Sequence, residues 1–313
     1  MLENNKERIF DLIIIGGSAA AMTAGIYASR RNLDYLLISK DFGGEVATSG
    51  EVENWPGIIH TTGIELAMNF RAHLESYNPD MRDGFWVESI SKTNGIFQIK
   101  AKSGDQDINL KAKAVIVATG VHPRELGVAG EQALRGHGVS YCTVCDGPLF
   151  DGKKVVVVGG GNSALESGLM LADIASEVVV INKNSKFNGE QVLLDNLIKK
   201  QNVKIVYNAM TQSIQGDKKV SGITYSIDGI SEEIETEGIF IHIGMIPNSA
   251  LVGDLVKTNK FGEIEVDDHC QTSVEGLFSA GDVTNVPFKQ IVIAAGQGCT
   301  ALLSAVAYIN RQN

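Results

Sequence analysis

The heptapeptide YCTVCDG, residues 141–147, sets two thiols three positions apart and a carboxylate directly after the second. That spacing brings two sulfurs within bonding reach, and the thiolate is the form that attacks a disulfide or binds a metal. Three chemistries suit such a pair: half of a zinc site, two inert core thiols, or a dithiol that cycles with a disulfide. Structural zinc needs four ligands, usually with a second pair at short spacing. Cys270 and Cys299 stand far apart and no His-x-x-x-His run exists, so no metal is expected. The flanks Tyr141, Thr143, Asp146 and Gly147 read as a loop rather than a core strand. A cycling Cys142–Cys145 dithiol is therefore the favoured reading, with zinc and inert thiols as its alternatives. Asp146 would protonate a departing thiolate and later take the proton back; its alternative is a helix-capping aspartate. Cys270 and Cys299 are read as packing residues.

Two strand–turn–helix units are available to position this pair. FDLIIIGGSAAAMTAGIYASRRN, from Phe10, reads as an apolar strand, a tight turn of small residues and a helix, and KKVVVVGGGNSALESGLMLADI, from Lys153, repeats the pattern. Each is followed by a further β-rich run, Tyr35 to Ser39 and Glu177 to Ile181. The fold class expected is α/β, with two Rossmann-like, three-layer dinucleotide-binding domains. Small residues in such a turn let backbone N–H groups approach a pyrophosphate at the positive end of the following helix. Gly159, Gly161 and Ala164 fit the G-x-G-x-x-A form; the first turn offers Gly16, Ser18 and Ala21.

Composition bounds the function. With 313 residues, 44% of them apolar, the chain can bury a full core. A formal net charge of −10, from 27 Lys plus Arg against 37 Asp plus Glu, argues against a nucleic-acid partner. Four cysteines are too sparse for a disulfide-stapled secreted scaffold, and MLENNKERIF carries no apolar h-region, so a cytoplasmic location is expected. Residues 291–309 are uncharged and long enough to cross a bilayer. Gly296, Gln297, Gly298, Thr300 and Ser304 dilute their hydrophobicity, so a buried helix is expected and no membrane association.

The order GGSAAA, FGGE, VENWPG, VIVATG, YCTVCDGPLF, VVGGGNSALE, IGMIPN, SAGDV and KQIVIAAGQG resembles the low-molecular-weight thioredoxin reductase family over essentially the whole chain. The CDGPLF and KQIVIA runs are similar to the flavoprotein part of alkyl hydroperoxide reductase. The resemblance implies an FAD domain from residues 1–121 and 248–313, with a pyridine-nucleotide domain carrying the Cys-x-x-Cys, residues 122–247, inserted in it. It assigns FAD contacts to Gly16, Ser18, Ala19, Ala20, Gly44, Glu45, Asn54, Thr119, Gly120, Gly281 and Asp282, with Lys289, Gln290 and Ile291 meeting the isoalloxazine. Asp282 would hold a ribityl hydroxyl, and a helix starting near Gln290 would aim its positive end at the flavin. Gly159, Gly161, Asn162, Ser163, Ala164, Glu166, Asn182 and Lys183 would form the nicotinamide dinucleotide site. Cys145 would lie nearest the flavin and Cys142 would attack the partner's disulfide. Rotation of the inserted domain about connections near 119–122 and 244–249 would let both reach one flavin ring. A homodimer is implied as well.

Three departures from that pattern bear on function. Members using NADPH carry arginines after the second strand of the nucleotide domain, whereas this chain reads Asn182, Lys183, Asn184, Ser185, Lys186, Phe187, Asn188. Asn182 also lacks the charge of an acidic ribose anchor, so NADH is favoured only narrowly over NADPH, and ferredoxin or another carrier is an alternative donor. Glu45 stands where FGGQ is usual, and Ser39 with Lys40 leaves no acidic anchor on the second strand of the FAD domain. The expected activity is a disulfide reductase passing electrons to thioredoxin, a glutaredoxin-like protein or a peroxiredoxin subunit. The alternatives are a flavin-bearing redox sensor with low turnover and an oxygen-consuming flavin oxidase.

Overall fold

The computed structural model describes residues 8–49 and 51–312. Most of the N-terminal stretch read for a signal sequence, residues 1–7, lies outside them. The chain forms two compact units: one gathers Trp55–His122 and Ile246 onward with the N-terminal part of the chain, and the other is Pro123–Met245 together with residues 51–54.

In the first unit, strand Ile9–Ile15 is apolar and buried on both faces over residues 12–15, as the middle of a central parallel strand must be. It lies between Tyr35–Ser39 and Gln106–Val117, parallel to both. The strand order is Asp80–Asp83, Tyr35–Ser39, Ile9–Ile15, Gln106–Val117, Ile96–Ser103, Trp86–Thr93. Leu277–Ser279 pairs in parallel with the C-terminal end of Gln106–Val117, delivering the following residues, Ala280 to Thr284, to the same sheet end as Gly16. Two helices pack together beside this sheet, Ala19–Arg30 and Ile291–Gln312. The latter is long and apolar enough to cross a bilayer by length and composition. Its buried residues Ala294, Gly298, Ala301, Leu302, Ala305 and Ile309 recur at helical spacing, so one apolar face is buried within this unit.

The second unit is a parallel sheet in the order Val139–Ser140, Gly238–Ile241, Lys154–Val158, Glu177–Ile181, Val203–Val206. Strand alternation divides its core. Val155 and Val157 pack with Leu165, Leu171 and Phe240 on one face, while Val156 and Val158 pack with Ile223, Tyr225 and Ile239 on the other. An antiparallel sheet, Met210–Gly216, Val220–Ile227 and Ile230–Glu235, contributes Ile223 and Tyr225 to the latter core. Each wholly buried Val or Ile side chain contributes about 1.5–3 kcal/mol. Both units are Rossmann-like, as the paired strand–turn–helix pattern predicts.

Candidate active site

Cys142 and Cys145 form a disulfide at a short helix, Thr143–Asp146. Cys142 is the N-cap, and its Sγ accepts the Cys145 N–H at 3.2 Å. Between the two cysteines, Thr143 points inward and is buried, whereas Val144 is 58% exposed. Asp146 occupies the N-cap position of the Gly147–Phe150 turn but makes no side-chain capping bond there. Its Oδ2 accepts the Ser140 hydroxyl at 2.5 Å, and its Oδ1 is buried without a hydrogen-bond partner. Burial pushes its carboxyl above the usual range, against the pull of the Ser140 bond. Asp146 directly follows Cys145 in the chain, and a carboxyl whose pKa is raised has the chemistry of a proton carrier.

Tyr141 precedes the pair and donates its hydroxyl to Glu131 Oε1 at 2.8 Å. The buried Glu131 also accepts the Leu126 and Gly127 N–H groups, at 2.8 and 2.7 Å. Burial, then this carboxylate, raises the Tyr141 phenol well above its ordinary value. Sequence reasoning passed over Glu131, Ser140, Ser167 and His242, because partners distant in sequence carry no local signal.

The second glycine turn lies in the same unit. A Cβ at Gly159 would stand 2.2 Å from the His242 carbonyl oxygen, so only glycine admits this approach. Helix Asn162–Ala172 follows with Gly161 as its N-cap, no side-chain capping bond, and open space beyond the Gly161 Cα. Ser163 and Glu166 are exposed along it, and Ala164 is buried. Asn182 is buried and turned into its own loop, where its amide donates to Lys186 O and its Oδ1 accepts the Asn184 N–H. Lys183 is exposed. Asn162 and Glu190 clasp one another through Glu190 N–H to Asn162 Oδ1, 2.7 Å, and Asn162 Nδ2 to Glu190 Oε1, 3.2 Å.

The first unit brings together another group of the expected residues. A Cβ at Gly16 would stand 2.2 Å from the Ala118 carbonyl oxygen, so the turn is pressed against the end of the neighbouring strand. Ser18 is the N-cap of Ala19–Arg30, yet its hydroxyl donates to Gly43 O at 2.7 Å instead of capping the helix, which fixes the Gly43–Gly44–Glu45 segment beside the turn. Ala19 and Ala20 are buried. Asp282 Oδ1 is buried without a partner, and burial raises the carboxyl to about 6, Lys289 opposing the shift and Glu45 adding to it. Gly281 N–H donates to Gln297 Oε1 at 2.8 Å, which orients the loop carrying Asp282. Lys289 is held by Glu263 at 2.9 Å and by Thr284 O at 2.7 Å. Gln290 immediately precedes helix Ile291–Gln312, whose first residue is Ile291. Thr119 and Gly120 are laced to Asn248: Thr119 donates to Asn248 O at 2.7 Å, Asn248 Nδ2 to Thr119 O at 2.9 Å, and Asn248 N–H to Gly120 O at 3.0 Å. Asn54 is exposed and groups with the other unit.

Cys270 is buried, and burial pushes its thiol up to about 11; Cys299 is a free thiol and half-buried. Among the described residues no cluster of three or more His, Cys, Asp or Glu is arranged to hold a metal ion.

The profile of a family described as pyridine nucleotide-disulphide oxidoreductase matches residues 10–298. One component of the alkyl hydroperoxide reductase of Escherichia coli (strain K12) is 40% identical over 99% of this chain and 60% of its own length. A protein named NADH dehydrogenase from Bacillus subtilis (strain 168) is 38% identical over 96% of this chain and 59% of its own. The chain thus spans about 60% of the length of these curated relatives. Among solved structures, thioredoxin reductase from Streptococcus pyogenes MGAS5005 superposes with a TM-score of 0.92 at 34% identity, covering 98% of this chain and 100% of that one.

Proposed function

The chain belongs to the pyridine nucleotide-disulphide oxidoreductase family, and from that premise we propose that it is an FAD-dependent disulfide reductase acting on a small protein disulfide. The observation carrying this reading is the Cys142–Cys145 disulfide beside the buried Asp146 carboxyl. The first unit fits an FAD. The orphaned Asp282 Oδ1 would accept a ribityl hydroxyl, and the uncapped helix after Gly16 would receive the pyrophosphate. We assign this site to residues 1–121 and 248–313 and the dinucleotide site to 122–247. When bound, FAD supplies a two-electron carrier between a nicotinamide and a disulfide.

The chain's own residues account for the exchange chemistry. The Cys142 thiolate attacks one sulfur of the acceptor disulfide, forming a mixed disulfide and expelling the other acceptor sulfur as a thiolate. Cys145 then attacks the Cys142 sulfur, which re-forms the Cys142–Cys145 bond and leaves the acceptor as two thiols. Asp146 gives and takes the proton at its carboxyl. Val144, between the two cysteines, is exposed, so an acceptor could contact the turn through it. Relatives named for alkyl hydroperoxide and for thioredoxin reduction support a peroxiredoxin or thioredoxin-fold acceptor.

NADH is the donor we favour. The loop after Glu177–Ile181 has no arginine for a 2′-phosphate, and a relative is named for NADH. A cytoplasmic homodimer is the accompanying proposal. Anaerobic titration of the flavin-loaded protein with NADH, NADPH and reduced ferredoxin, followed by addition of oxidised thioredoxin, tests the reading. NADH should bleach the flavin and thioredoxin should restore it repeatedly. A single stoichiometric exchange would indicate a sensor, and bleaching by ferredoxin alone would overturn the donor.

A further inference from the structure

Thr143 stands between the two cysteines and turns its hydroxyl into the interior, 2.5 Å from Ser167 Oγ and 2.8 Å from His242 Nε2. Ser167 lies on helix Asn162–Ala172, which follows the second glycine turn. His242 follows strand Gly238–Ile241; its N–H donates to Val158 O at 2.7 Å, and its carbonyl is the atom that forbids a side chain at Gly159. The hydroxyl between the cysteines is therefore tied to both ends of the glycine turn, by one bond to the helix and one to the residue packed against Gly159. Thr143 and Ser167 are buried. Burial lowers the His242 imidazole to about 4, so it is neutral near pH 7 and offers one donor and one acceptor nitrogen. Whichever nitrogen carries the proton, Thr143 Oγ1 can donate one bond and accept the other.

We propose that Thr143 is a positioning residue, anchored by Ser167 and His242, that keeps the reduced Cys142 and Cys145 sulfurs within bonding reach and so makes the dithiol a stronger reductant. The proposal rests on the disulfide-reductase reading and extends it to a residue without redox chemistry of its own. In the oxidised protein the S–S bond closes the turn. On reduction that covalent tie is lost, and the local ties that remain include Cys145 N–H to Cys142 Sγ, 3.2 Å, Asp146 N–H to Cys142 O, 3.0 Å, Cys142 N–H to Ser140 Oγ, 3.1 Å, the Ser140 hydroxyl to Asp146 Oδ2, 2.5 Å, and the Thr143 cluster. An anchor that restricts the reduced turn raises the effective concentration of one sulfur at the other. Ring closure, in which two thiols become one disulfide and pass two electrons and two protons to the acceptor disulfide, is favoured accordingly.

The test is the equilibrium of the flavin-loaded protein with defined mixtures of reduced and oxidised glutathione, the state of Cys142 and Cys145 being read by alkylation and peptide mass. Thr143→Val keeps the shape and removes the hydroxyl; it should shift the equilibrium toward the dithiol about 3- to 10-fold, the range expected for one buried hydrogen bond. Thr143→Ser should stay within about twofold of the parent. Adding His242→Phe to Thr143→Val should add less than His242→Phe does alone. Ser167→Ala gives a second reading of the same shift should Thr143→Val fail to fold. A lowered melting temperature with an unchanged equilibrium constant, or an equal shift in Thr143→Ser, would overturn the proposal. A parent protein whose pair does not exchange with glutathione at all would overturn the disulfide-reductase reading, and this inference with it.

Discussion

The two glycine turns share a backbone plan and differ in what surrounds them. Beside the first, a buried carboxylate oxygen at Asp282 has no partner, and Ser18 spends its hydroxyl on the Gly43 carbonyl instead of on the helix. Beside the second, Asn182, Asn162 and Glu190 satisfy one another or their own loop. An orphaned buried oxygen costs about 1–3 kcal/mol until something bonds it. On the function proposed above, the first turn would hold a resident ligand and the second a visitor that leaves after each turnover. FAD would be that resident and a nicotinamide dinucleotide that visitor.

The largest effect that could break this comparison lies in the second unit. Cys142→Ser should reduce protein-disulfide turnover below about a thousandth of the parent rate while leaving FAD content unchanged, measured by steady-state assay and absorbance. Retained oxygen consumption with a nicotinamide would not rescue the reductase reading, because an oxidase does not need this sulfur. Gly16→Ala comes next. The new Cβ would collide with the Ala118 carbonyl, so a loss of about 3 kcal/mol or more is expected in chemical unfolding, together with loss of bound FAD. Unchanged stability would mean the strand end can retreat, and the turn is not pressed as described.

A pH series sharpens the contrast, because Asp282 in the first unit and His242 in the second carry opposite slopes. Asp282 has a raised folded-state pKa of about 6, so the unfolded chain releases its proton first. In the flavin-free protein its contribution is lost as pH rises from about 4 to about 6, by up to about 3 kcal/mol. His242 has a lowered folded-state value of about 4, so the unfolded chain takes up its proton first. Stability should fall as pH drops from about 6.5 to about 4, by a similar amount. Subtracting the urea-unfolding curves of Asp282→Asn and of His242→Phe from the parent should give slopes of opposite sign; slopes of one sign would mean that one group is not buried as described. The smallest effect is expected at the exposed clasp. Glu190→Ala should change stability by less than about 1 kcal/mol and NADH affinity only a few-fold, by calorimetry.

Much of this architecture is legible in the sequence where the cause is local. The runs Tyr35–Ser39 and Glu177–Ile181 are strands at the expected positions, because a βαβ unit needs an apolar strand at that distance from its glycine turn. The pairing of Cys142 with Cys145 follows from three-residue spacing on one short turn. What escaped reading depends on strands far apart in sequence lying side by side. The Thr143, Ser167 and His242 cluster exists because Gly238–Ile241 lies beside Lys154–Val158. Local letters leave Asp146 open between a cap and a proton carrier; it stands at an N-cap position without a capping bond, and its burial and the Ser140 bond are contacts that those letters do not show. Lys289 read as a flavin contact, and its commitment to Glu263 becomes visible only once residues 259–265 are folded beside it.

The central claim is that reducing equivalents given to the flavin end on the Cys142–Cys145 sulfurs. Anaerobic reduction of the FAD-loaded chain by NADH, quenched with an alkylating reagent and resolved by peptide mass, measures it directly. The account predicts that both Cys142 and Cys145 become alkylated in step with donor consumed, while Cys270 stays protected. Flavin bleaching with the disulfide intact would contradict it.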